Sequence, residues 1–404
     1  MPSRSLCKET IQSITWISTL IYICTLPYAH ITAIKEASFA ILFICILTLH
    51  PHKEIRPSSL WISFAIWLII SLLSTKWTVD LEITKKSIWR DAVKGILAFW
   101  ICYISAYKVL PRSPFQIGVT LSCIIFSTIA LFDFSIYKTW QAPHSPPRYD
   151  ISVTLLAYLS ILFLSTKSKE HSYFKIKCIS TWIAICLALI TGILSGSRSF
   201  VLAIILGFLL IQIIHYSIKV KNSAKFFRQG AFFFGTLSLT LVIYSQFNNQ
   251  RDLVHIDDRK VLYTAVLENA MNSPWTGSGF GHEINQKWYK ETFEEKIGYE
   301  VLSTATHAHN IFLSYFEQLG LPGVLLIVML FYGLIQPCYS AVRSSSPDLQ
   351  RLGCAGLLLI LGTFISNTFN FYFARHHLLF FMGLCGILHG WINRANLTAT
   401  HSSE

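Results

Sequence analysis

The sequence predicts an all-α polytopic membrane protein of about twelve spans with one large extracytoplasmic segment. Three observations carry that reading. Of 404 residues, 53% are hydrophobic and only 13% are charged, whereas a soluble domain carries about a quarter charged residues. Mean hydropathy is +0.50, so there is too little polar surface to wrap the apolar surface in water. Apolar windows of about 17 to 25 residues, the length that crosses a hydrocarbon core, recur along the chain.

The first window, 11–28, follows Arg4 and Lys8 and looks like a signal sequence. No small-x-small cleavage site follows at Leu26-Pro27-Tyr28, so it reads as a retained first span. Windows at 37–50, 59–75, 93–109, 116–136 and 151–166 follow, then 178–194, 199–218, 230–247, 321–338, 351–367 and 373–391. Between the ninth and tenth lies 248–308, too polar to span and too long for an idle connection. The expected division is therefore nine spans over 1–247, a polar segment carrying a motif over 248–320, three spans over 321–391, and a tail over 392–404. The ten cysteines lie in apolar runs or at their flanks, which argues against a disulfide scaffold or a Cys-ligated metal.

Short connections hold the basic excess. With the N-terminus in the cytoplasm the net charge of +12 falls on the inner segments, and the outer ones balance. The positive-inside rule thus places both termini in the cytoplasm. The basic pI does not point to nucleic acid, because clusters such as Lys167/Lys169/Lys175/Lys177 are juxtamembrane and suit anionic lipid headgroups.

The chemistry-bearing residues gather near the outer face. His307-Ala308-His309-Asn310 precedes a short apolar-striped helix that ends at Gly320, and a Leu-Pro-Gly break leads into the next span. At 3.6 residues per turn His309 shares a face with Phe312, Leu313 and Phe316, with Asn310, Ser314 and Glu317 opposite, so its imidazole is expected to face protein. It is either a core histidine bonded to a backbone carbonyl or a titratable group of a site. Arg198, between Ser197 and Ser199 at a helix start, is either an anion ligand or a snorkelling interface residue. Arg259, after Asp257 and Asp258, is either a surface ion pair or a functional cation, and Arg251 competes for that role. Lys85, Lys86 and Arg90 fit an interfacial helix or contacts to an anionic substrate. The 277–281 glycines suit a tight chain reversal, since no strand-turn-helix unit surrounds them to make a nucleotide loop. His307 and His309 lack further ligands at a metal-site spacing. Asp133, near a span end, is expected to be solvated, and Arg375, His376 and His377 suggest no role.

Together these residues resemble the O-antigen ligase family, within the wider superfamily of O-antigen ligases and polymerases. His309-Asn310, nine residues, then Gly320-x-x-Gly323 fits the family's histidine signature. Ser197-Arg198-Ser199 fits its first functional arginine. Arg259, upstream of Pro274-x-x-Gly277-x-Gly279, fits the second. The resemblance implies a GT-C-like, metal-independent inverting glycosyltransferase of the bacterial inner membrane with a periplasmic active site. Its donor would be O-antigen on undecaprenyl diphosphate and its acceptor lipid A–core, with no cofactor, nucleotide or nucleic acid. His309 would be the catalytic base, with Arg198 and Arg259 holding the diphosphate and His307, Asn310, Arg90 and Lys86 in secondary places. The near rival is the O-antigen polymerase, whose best-known type carries Arg-x10-Gly repeats that neither Arg198 nor Arg259 has. The distant rival is a flippase or transporter, which tends to show two related halves or charges near mid-membrane.

Overall fold

A computed structural model of the chain describes residues 3–28, 31–49, 59–137, 148–162, 174–194, 202–207, 209, 255–285, 288, 308, 310–369 and 375–401. Arg198, His307 and His309 lie outside the described residues. Arg259 is described for its backbone alone.

All regular structure among the described residues is helical. The helices are α1 (Ser3–Thr25), α2 (Thr32–Thr48), α3 (Ser59–Leu73), α4 (Leu81–Ser87), α5 (Lys94–Lys108), α6 (Arg112–Tyr137), α7 (Arg148–Leu162), α8 (Phe174–Leu194), α9 (His255–Met271), α10 (Ile311–Val342), α11 (Pro347–Phe369) and α12 (Arg375–His401). Among the described residues five helices are long and apolar enough to cross a membrane: Ser59–Lys76, Arg112–Ile136, Ile311–Val342, Pro347–Thr368 and Arg375–Thr398. The chain is a polytopic membrane protein. Segment 76–92, whose cations suit an interfacial helix or contacts to an anionic substrate, contains α4 and a π-helical turn, Ile88–Val93, that runs into α5.

The core is built around α5 and α12. In lipid, helix association depends on close packing rather than on escape from water, so small residues mark the seams. Gly386 and Gly390, one turn apart on α12, lie so near α5 that an added Cβ would sit 2.3 Å from the Phe99 carbonyl oxygen and 2.4 Å from that of Tyr103. Polar groups in the seam are paired. Asn393 donates to the Tyr103 hydroxyl at 2.8 Å, Trp391 donates to the Leu110 carbonyl at 3.2 Å, and His389 Nε2 lies 3.0 Å from the Leu334 carbonyl oxygen. The α10–α11 contact is similar: a Cβ on Gly353 would lie 2.5 Å from the Cys338 carbonyl oxygen.

The connections sort into two ends. At one, Asp91 meets Arg375, Arg90 meets His282, Trp77 meets Thr276 and Asn310 meets Thr368. At the other, Lys108 donates to the Leu49 carbonyl and Arg112 pairs with Asp348. Asp133 departs from expectation, being 4% exposed rather than solvated. Its position on α6 puts it on the stripe of buried Phe126 and Ala130, and that face is turned into the bundle.

Candidate active site

The expected break at Gly320 is present inside one long helix. Gly320 has φ +67° and ψ −160°, so α10 is two helical pieces joined across a kink. A break of this kind frees carbonyls before it and an N–H after it, and buried backbone groups must find partners. They find them in the 273–281 turn. Ser278 N–H donates to the Glu317 carbonyl at 2.8 Å, Gly279 N–H to the Gln318 carbonyl at 2.9 Å, and Leu321 N–H to the Pro274 carbonyl at 2.8 Å. Gly281 N–H donates to Gln318 Oε1 at 2.9 Å. The turn needs glycine because Gly277, Gly279 and Gly281 all have positive φ, a region costly for other residues. Space forbids side chains too: a Cβ on Gly277 would meet the Gln318 carbonyl carbon at 2.4 Å, and one on Gly320 that of Trp275 at 2.5 Å. The chain reversal expected of these glycines is therefore a strap fitted to the kink.

Asn310 starts α10. Its Oδ1 accepts from the N–H groups of Phe312 (2.9 Å) and Leu313 (3.0 Å), an N-cap. Its Nδ2 donates to the Thr368 carbonyl at 2.8 Å, tying this helix start to the end of α11. The inward face of the following helix differs from the sequence reading. Ser314 (1% exposed) and Glu317 (4%) are buried, whereas Phe312, Leu313 and Phe316 are half-buried. Two neighbours bear on the inversion: Asn269 of α9 donates to Glu317 Oε1, and Gly281 of the strap donates to Gln318 Oε1.

Helix α9 docks on the same helix start. Leu262, Ala265 and Val266 form a small cluster with Ala308, separate from the main core, with Tyr263, Trp288 and Leu313 around it. Ala308 is fully buried. At the C-terminal end of α9, Asn269 Nδ2 donates to Glu317 Oε1 at 3.2 Å.

Beside the strap lies an ionic network. Arg90, in the π-helical turn, forks onto Asp91 through Nε (3.0 Å) and a terminal nitrogen (3.1 Å). The same terminal nitrogen lies 3.3 Å from His282 Nδ1, and the other 3.7 Å from Glu283 Oε1. Asp91 also accepts the backbone N–H of Arg375 at 2.9 Å, capping α12 from another helix. Arg375 sits at φ +52°, rare for a residue other than glycine, and its guanidinium pairs with Glu283. Burial, with the Arg375 and Arg90 guanidinium groups nearby, pushes His282 from its usual 6.5 down to about 3. The neutral ring accepts from Arg90 at Nδ1 and therefore carries its proton on Nε2.

Arg90 is thus placed within this network, while Lys86 is exposed on α4. Asp91, His282, Glu283 and Arg375 were not singled out as a unit by sequence, because their partners are 192 and 284 residues apart. The available signal was charge persisting at span ends. Among the described residues no three His, Cys, Asp or Glu side chains form a group able to hold a metal.

Residues 183–328 match the family model described as O-antigen ligase. No individual curated protein matches the chain. The matched segment contains Arg198, Arg259, His307, His309, Asn310, the strap and the Gly320 kink, and leaves Arg90 and Lys86 outside.

Proposed function

We propose, proceeding from the O-antigen ligase superfamily that the match over 183–328 supports, that the protein is a metal-independent inverting glycosyltransferase completing lipopolysaccharide. It moves O-antigen from undecaprenyl diphosphate to a sugar hydroxyl of lipid A–core at the periplasmic face of the inner membrane. The proposed frame is a GT-C-like bundle of twelve spans with both termini cytoplasmic. The observation that carries the reading is the meeting of two motif stretches: the glycine strap at 273–281 interlocks with the Gly320 kink, beside the helix start capped by Asn310.

The chemistry follows from residue type. His309 takes the proton from the acceptor hydroxyl as its oxygen forms a bond to the anomeric carbon. The bond from that carbon to the diphosphate oxygen breaks from the opposite side, which inverts configuration and releases undecaprenyl diphosphate. Charge grows on the leaving diphosphate, and Arg198 and Arg259 supply planar donor forks matched to phosphate oxygens. The same cations favour a neutral, proton-accepting imidazole.

Deletion of the gene followed by gel analysis of lipopolysaccharide tests the reading. Loss of the whole O-antigen ladder is expected. A core bearing one repeat makes the protein a polymerase, and loss of lipid-linked donor from the periplasmic leaflet makes it a flippase. With purified protein, EDTA is expected to leave transfer intact while Arg198→Lys, which keeps charge but loses the fork, lowers it sharply. Inhibition by EDTA reversed by Mg²⁺ removes the metal-independent mechanism. A periplasm-only reporter is expected to be active when fused near Gln286 and silent after Ser346; the opposite result reverses the topology.

A further inference from the structure

We infer that Glu317 is a positioning residue which, through Asn269 and with Ala308 as the opposite anchor, holds α9 on the start of α10 and so fixes the Arg259 helix against the histidine segment. The inference rests on the roles proposed above for Arg259 and His309.

Two attachments define the device. The first is the cluster of Leu262, Ala265 and Val266 with Ala308. Ala308 is the residue between His307 and His309, so the contact falls within the motif itself. Position 259 lies three and seven residues before Leu262 and Val266, on one helical stripe of α9. The second attachment is the hydrogen bond from Asn269 to Glu317, almost two turns into α10. Glu317 is 4% exposed, and a carboxylate so buried is costly unless held by donors. Its own carbonyl takes the Ser278 N–H of the strap. One residue therefore joins three pieces: α9 by its side chain, the strap by its carbonyl, and α10 by its place in the helix. The buried α9 residues Leu262, Ala265 and Val266 belong to this small cluster and not to the main core, so loosening the bond at the far end of the helix affects where α9 sits. Displacement by about 1 Å at a reacting centre can cost on the order of 10²-fold in rate.

The test combines hydrogen exchange with transfer rate on the full-length protein in detergent. Glu317→Ala is expected to raise exchange across 262–271 by roughly tenfold or more while α11 and α12 keep theirs, and to lower the maximal rate by about 10²-fold with a rise in donor KM, because Arg259 of the loosened helix holds the diphosphate. Glu317→Gln keeps an accepting oxygen and is expected to retain both protection and rate. Asn269→Asp sets two carboxylates together and is expected to lose both. Adding Glu317→Gln to it restores a donor-acceptor pair of reversed sense, and is expected to recover both. This last comparison decides the matter even where Glu317→Ala fails to accumulate. Unchanged α9 exchange in Glu317→Ala, full rate with α9 loosened, or no recovery in the double variant overturns the inference. A wild-type protein that transfers no glycan removes the functional reading instead, and exchange alone then judges whether Glu317 holds α9.

Discussion

The two ends of the helix bundle use the same residue types to different effect. At one, Arg112 and Asp348 pair with side chains 32% and 55% exposed; at the other, Arg90 and Asp91 pair at 21% and 5%, joined by His282, Glu283 and Arg375. An exposed pair gains little, about 0–1 kcal/mol. A buried network costs desolvation and is tolerable only when its donors and acceptors are matched. The Arg112–Asp348 pair fastens two helices. The second end holds several segments, including the capped start of α12 and the strap that meets the α10 kink, in one fixed arrangement. That is the kind of support a positioned reaction needs.

The largest expected effect is at the proposed base. His309→Ala is expected to lower transfer by about 10²–10⁴-fold with donor binding retained, the usual range for one general base. His309→Gln, which cannot accept a proton at neutral pH, is expected to behave alike. A His309→Gln protein that ligates near the wild-type rate removes His309 as the base and passes attention to His307.

Next comes the strap. Gly320→Ala puts a side chain at φ +67° and a Cβ 2.5 Å from the Trp275 carbonyl carbon. A destabilisation of at least about 1–3 kcal/mol is expected from the backbone alone, read as a lower melting temperature in detergent. An unshifted melting temperature means that the kink is not held as described.

A smaller effect depends on pH. His282 stays neutral down to about pH 3 when folded, against 6.5 ordinarily. Above 6.5 neither state binds the proton. As pH falls from 6.5 toward 3, the unfolded chain takes up a proton that the folded one does not, so stability is lost across that window. His282→Gln is expected to flatten the melting-temperature profile between pH 6.5 and 5, where carboxylates are quiet. An identical profile in the variant rules out this source.

Least is expected at the opposite end. Asp348→Asn is expected to change stability by no more than about 1 kcal/mol and to leave transfer unchanged. A loss of activity there erases the distinction between the two ends.

Much of the frame was legible because it follows from local rules. Apolar windows marked α3, α6, α10, α11 and α12, and Gly320 with Pro322 marked the kink. The Asn310 cap was hidden in a motif read for its histidine, although asparagine before an apolar helix is itself a start signal. The inward face of α10 was misread because helical periodicity assumes an apolar neighbour. Here the neighbours are the polar end of α9, whose Asn269 donates to Glu317, and a glycine turn whose Gly281 N–H donates to Gln318, and no periodicity in 311–320 reports that. The Asp91 network was illegible for a different reason: charges at span ends look alike until the fold chooses their partners. The strap lies between these cases, since its glycines announced a turn but not what the turn was for.

The α5–α12 seam has a consequence for biogenesis. Phe99 and Tyr103 are made early, whereas Gly386 and Gly390, which close against them, are made much later. During synthesis α5 must wait in the bilayer with its tightest contact surface facing lipid, while the intervening helices insert. Such exposed intermediates are where misassembly begins. A chain stalled before α12 is therefore expected to be a substrate for membrane quality control rather than a smaller stable protein.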